Sequence, residues 1–424
     1  MPQYQGLIGL VVLLLIAWLL SENRQRIVWR PVLMGLGLQV VFALLILKTP
    51  YGEPMFQWCG AQFGKLIAFS DRGADFVFAQ FGQKTVEGPL LNIAFRILPT
   101  VIFFSALLSV LYHLGIMQRI VQAIAWVMVK TMGTSGAESL SCAANIFVGQ
   151  TEAPLLIKPF MPRLTRSELM TVMQGGFATI AGGVMAVYVS MLKPILGERV
   201  AGDLMAASVM AAPAALLISK IMLPETAIPD TRGTLRIPVE RTASNVIQAY
   251  SDGALDGLKL ALNMGALLIA FVAAIELLNA LLGWGPTIPL IGPIPTTSLQ
   301  AILGWLFRPI AWALGVTWDE AAIVGRLLGE KLVLTEMMAY IHLTEVPILP
   351  TNDPVAGSLT PRAARITAYA LCGFANMASI GIQIGGLGAM AENRRAEIAG
   401  LAFKAMLGGA MATGMTAAIA GIML

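Results

Sequence analysis

Gly149-Gln150-Thr151-Glu152-Ala153-Pro154 places an amide, a hydroxyl and a carboxylate between a glycine and a proline inside an otherwise apolar run. A turn at this point leaves backbone groups unpaired, which at membrane depth is tolerated only where they line a cavity or bind a ligand. The pattern occurs twice. Thr335-Glu336 interrupts a second apolar run, and each interruption is followed by a small-residue break. The first break reads Gly176-Phe177-Ala178-Thr179-Ile180-Ala181-Gly182 and the second Gly373-Phe374-Ala375-Asn376-Met377-Ala378-Ser379. Ile124-Ala125-Trp126 and Ile310-Ala311-Trp312 open the two copies. Internal repeats with interrupted apolar segments are the design of secondary transporters, whose substrate sits near the bilayer midplane between the copies.

Composition agrees with a membrane class. Hydrophobic residues make up 57% of the 424 and charged residues 12%, with a mean hydropathy of +0.76; soluble domains carry about twice that charge. The net charge of +4 is small and lies mostly at segment ends, so it speaks to topology and not to nucleic acid. Cys59, Cys142 and Cys372 have no metal-ligand spacing and give no disulfide framework. The first apolar run has no basic residue before it and no cleavage site after it, and reads as a retained helix.

The fold class expected is an all-α polytopic membrane protein. Runs long enough to cross the hydrocarbon lie at Gly6 to Leu20, Val32 to Leu47, Leu90 to Leu111, Met170 to Leu192, Ala201 to Met222, Leu258 to Leu282, Ile366 to Leu387 and Ile398 to Met423, about eight crossings in all. Basic clusters at Arg24, Arg26 and Arg30, at Lys158, Arg163 and Arg166, and at Arg394 and Arg395 put both termini outside if all three face the cytoplasm.

Gln118 to Met132 and Ser298 to Val316 mix polar groups and Trp with apolar residues, as interfacial helices do, and Phe56 to Phe81 reads the same way. Glu138 to Phe160 and Glu320 to Ile341 read as re-entrant hairpins, one per repeat and entering from opposite sides, as inverted repeats require. A plain spanning helix with a polar stripe is the alternative. The hydrophilic connection Pro224 to Asp256 separates the copies. The expected organisation is 1–115 and 224–295 as scaffold, with 116–223 and 296–424 as the two repeats.

Gly149-Gln150-Thr151-Glu152-Ala153-Pro154, with Gly373-Phe374-Ala375-Asn376 and Ser379-Ile380-Gly381, resembles the signature of the concentrative nucleoside transporters over the whole chain. Two departures stand out: Thr335-Glu336-Met337 where the family has Asn-Glu-Phe, and Met377-Ala378 where it has Phe-Ser. The resemblance implies a homotrimer in the bacterial inner membrane, with elevator-type movement and uptake of nucleosides such as uridine, cytidine and adenosine driven by a cation gradient. It places Gln150, Thr151, Glu152 and Val184 against the base, and Glu336, Asn376 and Ser379 on the ribose. Phe374 is either a stacking residue near the base or simple helix packing. It also implies a sodium site of Asn145, Val148, Thr179 and Ile180, with no organic cofactor.

The chemistry of these residue types fits such a substrate. A nucleoside is polar and uncharged, Gln150 offers donors and an acceptor, and Thr151 does either. A carboxylate accepting from a ribose hydroxyl makes a charge-assisted bond, which suits Glu336. Alternatives remain at this level: ion pairs of Glu152 or Glu336 with Lys331 or Arg326, polar side chains as interhelical glue, Asn145 as a turn cap, and proton coupling through Glu152 or Glu336. A transporter of another small polar substrate is open too, because a fold does not name its ligand. No His-Glu-x-x-His or Gly-x-Ser-x-Gly supports an enzyme, and polar residues confined to hairpin tips and interrupted helices do not make a channel.

Overall fold

The computed structural model describes residues 4–78, 98–233, 243–283, 298–349, 355 and 357–424. The start of the expected third span, the end of the stretch Phe56 to Phe81 and the middle of the connection Pro224 to Asp256 lie outside them. Among the described residues the elements are helical, with two isolated β-bridges. In chain order they are α1 (Gln5–Leu19), α2 (Trp29–Leu47), α3 (Gly52–Phe78), α4 (Leu98–His113), α5 (Ile116–Met132), α6 (Gly136–Ala144), a 3₁₀ run (Ala153–Arg163), α7 (Arg166–Ala178), α8 (Gly182–Leu196) and α9 (Val200–Met222). There follow α10 (Val246–Gly283), α11 (Leu299–Ala313), α12 (Ala321–Val333), α13 (Glu336–Glu345), α14 (Pro361–Leu371), α15 (Met377–Met390) and α16 (Arg395–Met423).

Four helical stretches among the described residues are long and apolar enough to cross a bilayer: α2, the broken α7–α8, α9, and α16 with the turn before it. The other four expected crossings coincide with α1, α4, α10 and the broken pair α14–α15. The expected connection Pro224 to Asp256 is shorter than its polarity suggests, because α10 starts at Val246. Burial separates centre from edge. In α9, 89% of the spanning window is buried, against 33% in α2, which puts α9 in the middle of the bundle and α2 at its edge.

The repeat is visible as an element order. A helix beginning the copy (α5, α11) is followed by a helix–break–helix (α6 with the 3₁₀ run, α12 with α13), a broken span (α7–α8, α14–α15) and an unbroken one (α9, α16). Between α4 and α5 the chain bends by 78°, turning at Gly115, whose φ of 76° suits glycine. That angle is what an interfacial helix after a crossing needs.

Side-chain caps start the short helices. Ser135 with Glu138 and Thr165 with Glu168 form capping boxes on α6 and α7, and Thr335, Thr360 and Asn376 cap α13, α14 and α15. Buried ionic contacts then tie the arms down. Lys220 on α9 reaches Glu138 at 2.7 Å and donates to Ser167 Oγ at 2.9 Å, while Arg365 on α14 pairs with Asp203 on α9 at 2.8 Å.

Candidate substrate and cation site

Each hairpin breaks where its sequence turns polar. After α6, Asn145 occupies the C-cap, and the chain passes through Val148 to Glu152 before the 3₁₀ run begins. Glu152 lies over Gly149, where a Cβ would stand 2.1 Å from its Oε2, so a side chain there would displace the carboxylate from this position. The tip leans on the first broken span: Gly182 N donates to Phe147 O at 2.8 Å, and a Cβ on Gly182 would lie 2.9 Å from the same oxygen. The two broken spans meet as well, with Phe374 N donating to Thr179 O at 3.3 Å.

Glu336, first residue of α13 and buried, has a donor on each oxygen. Tyr188 Oη donates to Oε1 at 2.6 Å and Asn376 Nδ2 to Oε2 at 2.6 Å. Asn376 Oδ1 in turn accepts from Ser379 N at 2.8 Å. Two donors can compensate a buried carboxylate while leaving it lone pairs for further hydroxyls. Lys331 and Arg326 do not serve Glu336 as ion-pair partners: Lys331 donates to Ala370 O and Thr413 Oγ1, both at 2.8 Å, and Arg326 lies beside Glu330 at 3.9 Å.

One face of α15 joins the two halves. Asn376, Ser379, Gln383 and Gly386 follow at helical spacing. Asn376 serves Glu336 of hairpin 2. Gln383 serves Gln150 of hairpin 1, donating to its Oε1 at 3.1 Å. Gly386 meets Thr151, whose Cγ2 would be 2.5 Å from a Cβ there. From Ser379 to Gly386 the helix rises about 10 Å. Val184 is buried on α8 one turn before Tyr188, on the same face. Phe374 is half-buried in the second break.

Glu152 differs from the rest. It is exposed to a cavity of about 840 Å³ lined by Tyr112 and Ser109 of α4, by Val148 and Gly149 of the hairpin tip, and by Gly253 and Asp256 of α10. The eight expected substrate residues thus fall into three groups: Gln150 and Thr151 of the first hairpin tip against α15, Glu152 on the cavity, and Glu336 with Asn376 and Ser379, with Val184 and Phe374 alongside. Sequence reading did not find Tyr188 and Gln383. Each lies four residues after an expected residue, Val184 or Ser379, and that i,i+4 relation was the available signal.

Two of the four residues expected to hold sodium, Asn145 and Thr179, present side-chain oxygens that could bind a monovalent cation. Asn145 donates through Nδ2 to Ser141 O at 3.1 Å, whereas its buried Oδ1 has no hydrogen-bond partner, and neither has the buried Ser141 Oγ on the same helical face. Thr179 sits at the break between α7 and α8 and donates to Gly175 O at 3.0 Å, leaving its oxygen free to accept. Neutral oxygens at a helix break suit a small hard cation of low charge.

Comparisons with known proteins bear on the same elements. The chain matches the C-terminal part of the Na+-dependent nucleoside transporters over residues 203–421, their N-terminal part over 8–81, and a nucleoside-recognition gate over 94–195. It is 42% identical to the uncharacterized transporter YutK of Bacillus subtilis, covering 99% of each chain. It is 40% identical to solute carrier family 28 member 3 of Mus musculus over 98% of this chain but 58% of that protein, so it spans little more than half the length of that mammalian relative. The inward-facing, substrate-bound structure of CNTnw superimposes with a TM-score of 0.87 at 40% identity, covering 100% of this chain and 98% of that one. A variant of CNTnw in an outward-facing state gives 0.86 at 39% identity.

Proposed function

The chain belongs to the concentrative, Na+-dependent nucleoside transporter family, and from that membership we propose that it is a secondary transporter, not an enzyme, importing nucleosides by sodium symport. The observation that carries the reading is Glu336, a buried carboxylate presented by two donors from two different helices at 2.6 Å. A neutral polyol such as ribose supplies the hydroxyl donors that such a carboxylate accepts. Glu336, Asn376 and Ser379 hold the ribose; Gln150, Thr151 and Glu152 face the base; Val184 walls the pocket and Phe374 stacks near the base.

Sodium enters as co-substrate through Asn145 with Val148, Thr179 and Ile180, and Ser141 lies on the same helical face as Asn145. Because Phe147 O holds Gly182 and Thr179 O holds Phe374, an ion bound there would fix the hairpin tip and both breaks in one arrangement. Ordering by one ligand lowers the cost of binding the other. Inward- and outward-facing states of a structural relative support alternating access by an elevator movement of the hairpins and broken spans against residues 1–115 and 224–295. A homotrimer in the bacterial cytoplasmic membrane with both termini outside completes the proposal.

The ribose half is testable by competition on purified protein. 2′,3′-Dideoxyuridine is expected to bind roughly tenfold or more weakly than uridine, because without the two hydroxyls the remaining lone pairs of the buried Glu336 carboxylate lose their ligand donors. Uracil is expected to be weaker still. Equal competition by uracil and uridine would remove the ribose assignment and favour another small polar substrate.

A further inference from the structure

Gln383 is fully buried on α15 and uses one nitrogen twice. Its Nε2 donates to Met173 O on α7 at 2.9 Å and to Gln150 Oε1 at 3.1 Å. Met173 O is a backbone carbonyl and can only accept, so the Gln383 atom against it must be the amide nitrogen. That nitrogen then requires an oxygen from Gln150. A chain of two hydrogen bonds, anchored on the main chain, therefore decides which way the Gln150 amide faces: its oxygen is turned toward Gln383, and its two N–H donors are left for the pocket.

Space is reserved for this arrangement. A Cβ on Gly176 would lie 2.7 Å from Gln383 Nε2 and 2.8 Å from Gln150 Cβ, so the two amides meet over a residue that has no side chain. Both partners are buried, Gln150 at 7% and Gln383 at 0% exposure, where water competes least for their bonds.

We propose that Gln383 is a specificity-determining positioning residue: by holding Gln150 Oε1 it fixes that amide with its N–H donors toward the pocket, which favours bases carrying a hydrogen-bond acceptor on the edge that meets hairpin 1. A free glutamine could rotate and serve either a donor or an acceptor. A locked one cannot. The site gains discrimination because a base lacking that acceptor leaves the buried N–H groups unpaired.

The inference rests on Gln150 facing the base, and the experiment separates the two. Affinities are measured on purified protein for uridine and for two analogues, one lacking the 4-oxo group and one lacking the 2-oxo group, in the wild type, Gln383→Leu, Gln150→Ala and the double variant. In the wild type, removing one of the two oxygens is expected to cost about tenfold. In Gln383→Leu that penalty should shrink to below about threefold, and Gln383→Leu should have no further effect once Gln150 is alanine. A penalty unchanged in Gln383→Leu, or additive effects of the two substitutions, would overturn the inference. Gln150→Ala without effect on uridine binding would instead remove Gln150 from the base and sink the underlying reading. Should Gln383→Leu lose its cooperative thermal transition, Gln383→Met, of equal length and without the amide, takes its place in the cycle.

Discussion

Glu336→Gln is expected to weaken nucleoside binding by roughly tenfold to a hundredfold, the equivalent of losing a hydrogen bond to a charged acceptor at about 1.5–3 kcal/mol. The geometry explains why an isosteric change costs so much. Tyr188 and Asn376 each point a donor at a separate carboxylate oxygen at 2.6 Å. A glutamine can accept at only one of those positions, so the bond at the other must reverse or be lost. The ribose would lose its strongest acceptor as well. Titration calorimetry of uridine on purified protein checks the loss, and a retained thermal transition shows that the fold survives. Near wild-type affinity in a folded variant would take Glu336 out of the binding site.

Asn145→Leu is expected to abolish the dependence of nucleoside binding on sodium while leaving weak, sodium-independent binding in place. In the wild type, sodium should tighten nucleoside binding by roughly 5- to 150-fold, the usual range for coupled sites, and nucleoside should tighten sodium binding by the same factor. Asn145 is singled out because its Oδ1 is buried with no protein partner, whereas Val148 and Ile180 would contribute to the proposed site through main-chain oxygens that substitution does not remove. The measurement is nucleoside affinity with and without sodium at constant ionic strength, in both proteins. Sodium dependence that persists in Asn145→Leu would place the ion elsewhere. Binding that ignores sodium in the wild type but changes with pH would favour proton coupling, with Glu152 and Glu336 as the groups to test.

Much of this architecture was legible in the chain because the membrane penalises polarity so heavily. Gln150, Thr151 and Glu152 between Gly149 and Pro154 favoured a turn over a plain spanning helix with a polar stripe, and the structure does break there. The breaks at Thr179 and Asn376 were legible for the same reason, from small and polar residues where α7–α8 and α14–α15 would otherwise run straight. The cap residues Thr335 and Asn376 mark helix starts by known chemistry.

What could not be read is which polar side chains meet. Tyr188 and Gln383 are single polar residues in apolar helices, and such residues commonly serve as interhelical glue; only three-dimensional packing brings Tyr188 to Glu336 and Gln383 to Gln150. Lys331 shows the converse. Its charge and its nearness in sequence to Glu336 suggested an ion pair, but the ammonium extends to Ala370 O at the end of α14 and to Thr413 on α16. Sequence distance within a hairpin says little about which way a long side chain turns once its helix is buried on all sides.

The central claim, sodium-driven nucleoside uptake, is tested most directly by reconstitution. Purified protein in proteoliposomes is given labelled uridine at equal concentration on both sides of the membrane, first with an inward sodium gradient and then with an inward proton gradient at equal sodium. Accumulation of uridine above the external concentration under the sodium gradient, collapsing when sodium is equilibrated and absent in Glu336→Gln, is the expected result. Accumulation that follows only the proton gradient, or mere equilibration of uridine under both, would contradict the account.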